Sequence, residues 1–186
     1  MHRRTLIRAA AASPLVGLAG GCGQPEPADG LRFAIANAPR NLDPRLATDA
    51  VSERVNRLLY ARLVDFDGAS RPVPGIADFE QLGPLRWRFR LRVGIAPFSD
   101  GTPVRAADVA ATYASVLDPA TASHHRAVLS VIAHIEVQGA RTLDFLLREP
   151  EPLFAFHLGI GILPARLVAA GHGFQRAPLG SGPLAL

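Results

Sequence analysis

An uninterrupted alternation of apolar and basic side chains over residues 86–93 constrains the fold more than any other stretch. Every second position is apolar (Trp87, Phe89, Leu91 and Val93), and the positions between them are all arginine. Because successive side chains of a strand point to opposite faces of a sheet, this period of two predicts a half-buried strand. The arginine face allows two interpretations, a platform for anions or nucleic acid, or a solvated face whose charges discourage pairing at a sheet edge. We favour the second.

Three more segments predict strands, which makes the chain a mixed α/β protein. These are residues 31–36, 132–137 and 142–147, and Gly139 lies in the turn between the last two. Residues 71–75 contain two prolines and a glycine and are predicted to be irregular.

Helices are predicted before and after the strand-rich middle of the chain. The first begins at about Asp49, which can act as its N-cap, and its apolar stripe consists of Val51, Val55, Leu58 and Leu59. Glu53 and Arg57 are expected to form an i, i+4 ion pair on its wet side. Residues 153–158 and 164–170 are predicted to form shorter helices, the latter ended by the glycine that follows it.

Residues 98–119 combine a turn, a helix start and an amphipathic helix. An Asp-Gly pair forms the turn, and an Asp-Pro pair closes the helix. Arg105 occupies the N-cap position, where its side chain cannot accept a hydrogen bond, and a lost cap costs roughly 0.5–2 kcal/mol. We therefore expect the helix start to depend on Asp108, in the first turn, and on packing.

The first 21 residues have the pattern of an export signal. Arg3, Arg4 and Arg8 precede an apolar run of small residues that is too short to span a bilayer. The Arg3-Arg4 pair and the apolar residues after it resemble a twin-arginine motif. His2 stands where serine or threonine is usual, so the general secretory route stays open.

Cys22 is the only cysteine, so no intramolecular disulfide is possible. It directly follows residues 18–21, which resemble a bacterial lipobox in which Ala19 replaces the usual leucine. The alternative is a small buried cysteine. We favour lipidation at Cys22, because two or more acyl chains hold a protein stably on a membrane. Residues 23–30 are then a flexible tether.

Charge and motifs argue against nucleic-acid binding and catalysis. Three of the 20 arginines belong to the signal, so the remainder nearly balances the 16 acidic residues, and no nucleic-acid partner is expected. The sequence contains no Gly-x-Ser-x-Gly elbow, no phosphate loop and no His-Glu-x-x-His motif. We therefore predict that the chain is not an enzyme and holds no cofactor. The adjacent pair His124 and His125 is expected to face solvent without a third metal ligand.

Five segments in order resemble the extracellular solute-binding proteins of the peptide/nickel class (family 5), which serve ATP-driven importers. They are residues 41–44 (Asn-Leu-Asp-Pro), 59–64, 87–94, 98–109 and 178–183, the last resembling the family's Gly-Thr-Gly-Pro turn. The resemblance implies a periplasmic binding protein-like α/β fold of type II with an extra subdomain. Such proteins capture a solute, often an oligopeptide, between two lobes and deliver it to membrane permease subunits.

The resemblance also implies a division of the chain. Residues 1–21 are the signal peptide and 22–30 the tether of a lipid-anchored periplasmic protein. Residues 31–48 begin the main lobe, 49–177 form the flanking α/β subdomain, and 178–186 return to the main lobe. The family continues well beyond this point, so we expect a truncated copy that contains only a portion of the first lobe. Such a chain should show no micromolar peptide affinity by itself.

Cleft-lining residues are implied where the family approaches its ligand. They are Asn37, Ala38 and Pro39, after the first strand, and Ser181, in the returning turn. Ordinary turn chemistry is the alternative at each of them. For the whole chain, the alternative function is a non-transporting surface lipoprotein that uses the flanking subdomain for protein–protein contacts.

Overall fold

A computed structural model describes residues 34–35 and 37–185, and the chain from Ile35 onward forms one unit. The predicted signal residues and Cys22 lie outside the described residues. Most of the strand predicted at residues 31–36 lies outside them too, and Ala34 and Ile35 are in no strand.

Two antiparallel sheets contain the strands of the described chain. In chain order the strands are β1 (Val64–Phe66), β2 (Pro72–Pro74), β3 (Ala77–Gly83), β4 (Arg86–Leu91), β5 (Ile132–Val137) and β6 (Thr142–Leu147). β1 and β2 pair with each other, and the other four form a sheet of order β3-β4-β6-β5. The strands predicted at 86–93, 132–137 and 142–147 are therefore confirmed, whereas β1, β2 and β3 were not predicted.

The prediction that residues 71–75 are irregular is wrong, because Pro72–Pro74 forms β2. Its residues pair with β1 in antiparallel register, from Val64 opposite Pro74 to Phe66 opposite Pro72. A proline cannot donate a ladder hydrogen bond, so it is tolerated in a strand only where that bond is not needed. A two-stranded ribbon meets this condition, since each strand has a partner on one side only.

β4 lies between β3 and β6, so it is not an edge strand, and its arginines cannot discourage pairing at a sheet edge. That part of the prediction is wrong. The apolar face is confirmed, since Trp87, Phe89 and Leu91 are buried. The predicted strand, 86–93, is too long, however, because β4 ends at Leu91 and Val93 lies beyond it, with 85% of its surface exposed.

Carboxylates of the neighbouring strands neutralise the arginine face. The pairs are Arg86 with Glu136 at 2.6 Å, Arg88 with Asp144 at 2.7 Å, Arg90 with Glu80 at 2.6 Å and, just beyond β4, Arg92 with Asp78 at 3.2 Å. The arginine side chains are between 24% and 55% exposed. The face is thus solvated and internally paired, which leaves it unsuited to bind an anion.

The described chain also has four α-helices, α1 (Ala50–Leu59), α2 (Ala106–Leu117), α3 (Arg126–Leu129) and α4 (Ala165–Ala169), and a 3-10 turn at Pro119–Thr121. The helices predicted from Asp49, within 98–119 and at 164–170 are confirmed. Residues 153–158 contain a short 3-10 turn, Phe154–His157, in place of the predicted helix. None of the described helices has the length and apolarity needed to cross a membrane.

The buried face of α1 differs from the predicted apolar stripe. Asp49 caps the helix as predicted, accepting hydrogen bonds from the backbone N–H groups of Val51 and Ser52 at 3.2 and 2.9 Å. The buried positions, however, are Ser52, Asn56 and Leu59, while Val51 is only partly buried. Polar side chains therefore occupy two of the three buried positions of this helix.

Asp108 joins the starts of α2 and α4. Its carboxylate accepts a hydrogen bond from the backbone N–H of Arg105 and another from that of Ala165, each at 2.7 Å. One turn later, the Thr112 hydroxyl accepts from the N–H of Leu163 at 3.0 Å. The expected place of Asp108 at the start of α2 is confirmed, and the same carboxylate also bonds to the start of α4.

Aromatic rings fill the space between α2 and the four-stranded sheet. Phe145 of β6 lies at the centre, in edge-on contact with Phe89, Tyr113 and Phe154 at centroid distances of 5.4, 5.3 and 5.4 Å. Such pairs contribute about 0.5–1.5 kcal/mol each beyond the area they bury. The Tyr113 hydroxyl donates to the Leu158 carbonyl at 2.7 Å, so the ring is both buried and satisfied.

Candidate functional site

The turn at residues 180–183 is fastened to the end of α1 and to the turn before α2. The backbone N–H of Gly182 donates to the Leu59 carbonyl at 2.9 Å, and that of Leu184 donates to the Leu58 carbonyl at 3.0 Å. The Gly180 carbonyl accepts from Ser99 N–H at 2.9 Å. The two most recognisable sequence motifs are therefore in direct contact.

Glycine is required on both sides of Ser181 because the chain passes so close to α1. A Cβ atom added at Gly180 would overlap the Leu59 carbonyl oxygen, and one added at Gly182 would overlap that of Leu58. These contacts involve backbone atoms that cannot rotate away. The Gly-Ser-Gly pattern thus places the Ser181 side chain in a fixed position.

Ser181 is buried, at 5% exposure, and its hydroxyl has no hydrogen-bond partner among the described residues. A buried hydroxyl without a partner costs free energy. Asn37 and Ala38 are exposed and Pro39 is half-buried. Within the described chain, no hydrogen bond joins residues 37–39 to Ser181.

The loop that follows residues 37–39 is anchored to α1. The Ser52 hydroxyl accepts hydrogen bonds from the backbone N–H groups of Arg40 and Asn41, at 2.9 and 3.1 Å. The Tyr60 hydroxyl donates to the Leu42 carbonyl at 2.9 Å, and burial raises the pKa of that hydroxyl far above its usual range. Buried polar groups of α1 and of the residue that follows it thus position the loop that carries the predicted cleft residues.

The prediction that His124 and His125 have no third metal ligand nearby is wrong. The carboxylate of Glu53 approaches both rings, and one ligand atom from each of the three residues lies within 4.8 Å of the others. The predicted Glu53–Arg57 ion pair does not form within 4.0 Å. Sequence reasoning missed this group because its members come from α1 and from the loop before α3, which are far apart along the chain.

The two histidines also differ from the predicted solvent-facing pair. His124 is exposed, but His125 is half-buried, and the ring centroids are 3.8 Å apart. Burial, and next the neighbouring charge of His124, lower the pKa of His125 to about 4. The His125 ring is therefore neutral at neutral pH, with one nitrogen lone pair available.

The fold of the described residues is that of a portion of the periplasmic binding proteins. The structure of AgaA from A. tumefaciens R10, solved with agropinic acid, is 29% identical and superposes with a TM-score of 0.72, over 78% of this chain and 30% of that one. The murein tripeptide-binding protein MppA of Escherichia coli is 26% identical, with a TM-score of 0.68 over 80% of this chain and 33% of its own.

Sequence comparison identifies the family. The model of the bacterial extracellular solute-binding proteins, family 5, matches residues 71–185, and the chain belongs to this family. The periplasmic oligopeptide-binding protein OppA of Salmonella typhimurium is 32% identical over 133 residues. That alignment covers 62% of this chain and 24% of OppA, so the chain spans about a quarter of the length of this curated relative.

Proposed function

We propose that the chain acts in solute capture for an ATP-driven importer. The whole protein of this kind would bind an oligopeptide or a similar small solute between two lobes and deliver it to the permease subunits, without catalysing a reaction on it, and this chain would supply a portion of the first lobe. The observation that carries this proposal is the family match over residues 71–185. The relatives are named for oligopeptides and a murein tripeptide, or were solved with agropinic acid, so the proposal names a class of solute and not one compound.

Within this function, Asn37, Ala38, Pro39 and Ser181 are the proposed cleft residues. The buried and unpartnered hydroxyl of Ser181 supports the assignment, because a hydrogen bond to a ligand would offset its desolvation. The two flanking glycines support it as well, since their contacts with α1 leave the serine little freedom to move.

The proposal includes export and anchoring. Arg3 and Arg4 would direct the chain out of the cytoplasm, by the twin-arginine or the general secretory route, and Cys22 would carry the lipid at the outer face of the membrane. Residues 22–30 would form the tether. Residues 31–48 and 178–186 would belong to the main lobe, and residues 49–177 would be the flanking subdomain.

An uptake assay tests the function. Deletion of the gene in its own bacterium should reduce uptake of radiolabelled oligopeptides or of agropinic acid, and the wild-type gene should restore it. Complementation with Ser181→Ala should restore less uptake at equal protein level. Ser130→Ala is the matched control, because the exposed Ser130 hydroxyl donates only to the nearby Ala127 carbonyl.

Unchanged uptake of both solute classes after deletion would contradict the importer proposal. It would favour the alternative of a surface lipoprotein that contacts other proteins. Equal uptake with the Ser181 and Ser130 variants would instead remove Ser181 from the cleft and leave the importer role standing.

A further inference from the structure

Three side chains of types that commonly bind transition metals lie close together beside α1, at a small pocket. Glu53, His124 and His125 each offer one ligand atom, and all three atoms lie within 4.8 Å of one another. Glu53 and His125 also line a pocket of about 40 Å³. A water molecule needs roughly 10–15 Å³ by this measure, so the pocket has room for an ion with one or two waters.

We propose that Glu53, His124 and His125 form a binding site for a divalent transition-metal ion such as Zn²⁺. Two imidazole nitrogens and one carboxylate oxygen are a donor set that Zn²⁺ uses in proteins, with a water completing a tetrahedral site. Imidazole also favours these ions over Mg²⁺ or Ca²⁺, which prefer oxygen ligands. None of the proposed cleft residues lines this pocket, and the metal site does not depend on solute capture.

Asn56 supplies an independent observation. Its side chain is buried, at 6% exposure, and lines the same pocket, yet neither its oxygen nor its nitrogen has a hydrogen-bond partner among the described residues. Leaving such groups unpaired costs free energy, so a buried amide calls for a partner in the pocket. A water bound to the metal would donate to the Asn56 side-chain oxygen and remove the part of that cost that falls on the oxygen.

The ligands are held by two rigid parts of the fold. Glu53 and Asn56 are three residues apart on α1, and therefore on the same face of that helix. The loop that carries the histidines is tied down at Ser123, whose hydroxyl donates to the Arg45 carbonyl at 2.6 Å and accepts from the His125 N–H at 3.3 Å. Binding one ion at Zn–N distances of about 2.0–2.1 Å would draw together the three ligand atoms, which lie within 4.8 Å of one another.

Arginine in the same pocket opposes cation binding and sets a limit on affinity. Arg57 and Arg62 both line the pocket. Arg62 forms an ion pair with Asp65, whereas Arg57 pairs with no acidic group among the described residues. Removing the charge of Arg57 should therefore strengthen metal binding, which is the opposite of its effect on an anion.

Calorimetric titration of the full chain with Zn²⁺ alone tests the site. Every sample carries Cys22→Ser, because a thiolate would bind the ion itself, and no polyhistidine tag is used. We expect one equivalent to bind with micromolar affinity. His125→Ala and Glu53→Gln should each weaken binding at least tenfold, and Arg57→Gln should tighten it several-fold. His134→Ala is the matched control, since His134 is exposed on β5.

The proposal fails if no saturable equivalent of Zn²⁺ binds, or if His134→Ala weakens binding as much as His125→Ala does. If the chain binds phosphate more tightly than Zn²⁺, and Arg57→Gln abolishes the phosphate binding, the pocket is an anion site instead. If the ligand variants do not fold, modification of the Cys22→Ser chain by diethyl pyrocarbonate tests the site instead. Zn²⁺ should protect His124 and His125 but not His134, and equal protection of all three would overturn the proposal.

Discussion

Asp144 is a single side chain on which the arginine face of β4 depends. Its carboxylate is inaccessible to solvent and accepts hydrogen bonds from Arg88 at 2.7 and 2.8 Å and from the Gln138 amide at 2.9 Å. The Nε of Arg86 is also 2.9 Å away. The hydrogen bonds to Arg88 hold the pKa of Asp144 below its usual range, against the effect of burial.

We predict that Asp144 makes the folded state sensitive to acid. In the unfolded chain it takes up a proton near its ordinary pKa of 3.8, while in the folded chain it stays ionised to lower pH. The unfolded state therefore binds more protons in this window, so the stabilisation is complete above about pH 5 and is lost as the pH falls below about 4. Urea unfolding between pH 5 and 3 should show a steeper loss for the wild type than for Asp144→Asn.

At pH 7, Asp144→Asn should lower the free energy of unfolding by about 2–4 kcal/mol, because it leaves two arginines without their shared buried partner. Asp78→Asn is the matched control. Its ion pair with Arg92 is exposed, and such pairs are worth about 0–1 kcal/mol. If the two variants have the same stability and the same pH profile, Asp144 does not have the role assigned to it.

A second residue, Asp108, is predicted to matter for two helices at once. Asp108→Ala removes an acceptor from the backbone N–H groups of Arg105 and Ala165 and leaves both without that partner. Hydrogen bonds to a charged group contribute about 1.5–3 kcal/mol, so we expect a loss of about 2–4 kcal/mol in urea unfolding. Asp118→Ala, which removes an exposed cap on the Ala120 N–H, should cost less than about 1 kcal/mol. Comparable losses in both variants would contradict the double role.

At the scale of secondary-structure elements, the 180–183 turn packs against α1. We predict that this contact tolerates no side chain at Gly182. Gly182→Ala would force a Cβ atom against the Leu58 carbonyl and should destabilise the fold by about 1–3 kcal/mol, as overpacking does elsewhere. Gly173→Ala is the control, because an added Cβ there meets nothing within 4 Å. Thermal unfolding compares the two, and equal midpoints would show that the turn can move away from α1.

The sequence predicts elements well where one periodicity governs them. β4, β5, β6 and α2 follow from period-two or helical patterns, and the Gly-Ser-Gly turn follows from its resemblance to the family. β1 and β2 do not, because three residues are too few to show a period and prolines argue against a strand. β3 could have been found, since Ala77 and Phe79 alternate with Asp78 and Glu80.

Long-range contacts are what the sequence could not supply. The placement of β4 inside the sheet depends on which strands pair with it, and no local pattern encodes that order. The group of Glu53, His124 and His125 arises because the loop before α3 folds back onto α1. On α1 itself, the sequence shows an apolar stripe, whereas tertiary contacts bury Ser52 and Asn56. Burial of a polar side chain is decided by its partners, which a single sequence does not display.

For the molecule as a whole, the last prediction concerns where it resides. If Cys22 carries the lipid, the wild-type chain should partition into the detergent phase of Triton X-114 and pellet with membranes, because two or more acyl chains anchor a protein stably. Cys22→Ala should move the chain to the soluble exported fraction. Ser13→Ala, in the apolar run before the lipobox, is the control and should leave the anchor in place. Unchanged membrane retention of Cys22→Ala would refute lipidation, whereas retention of the wild type in the cytoplasm would refute export by Arg3 and Arg4.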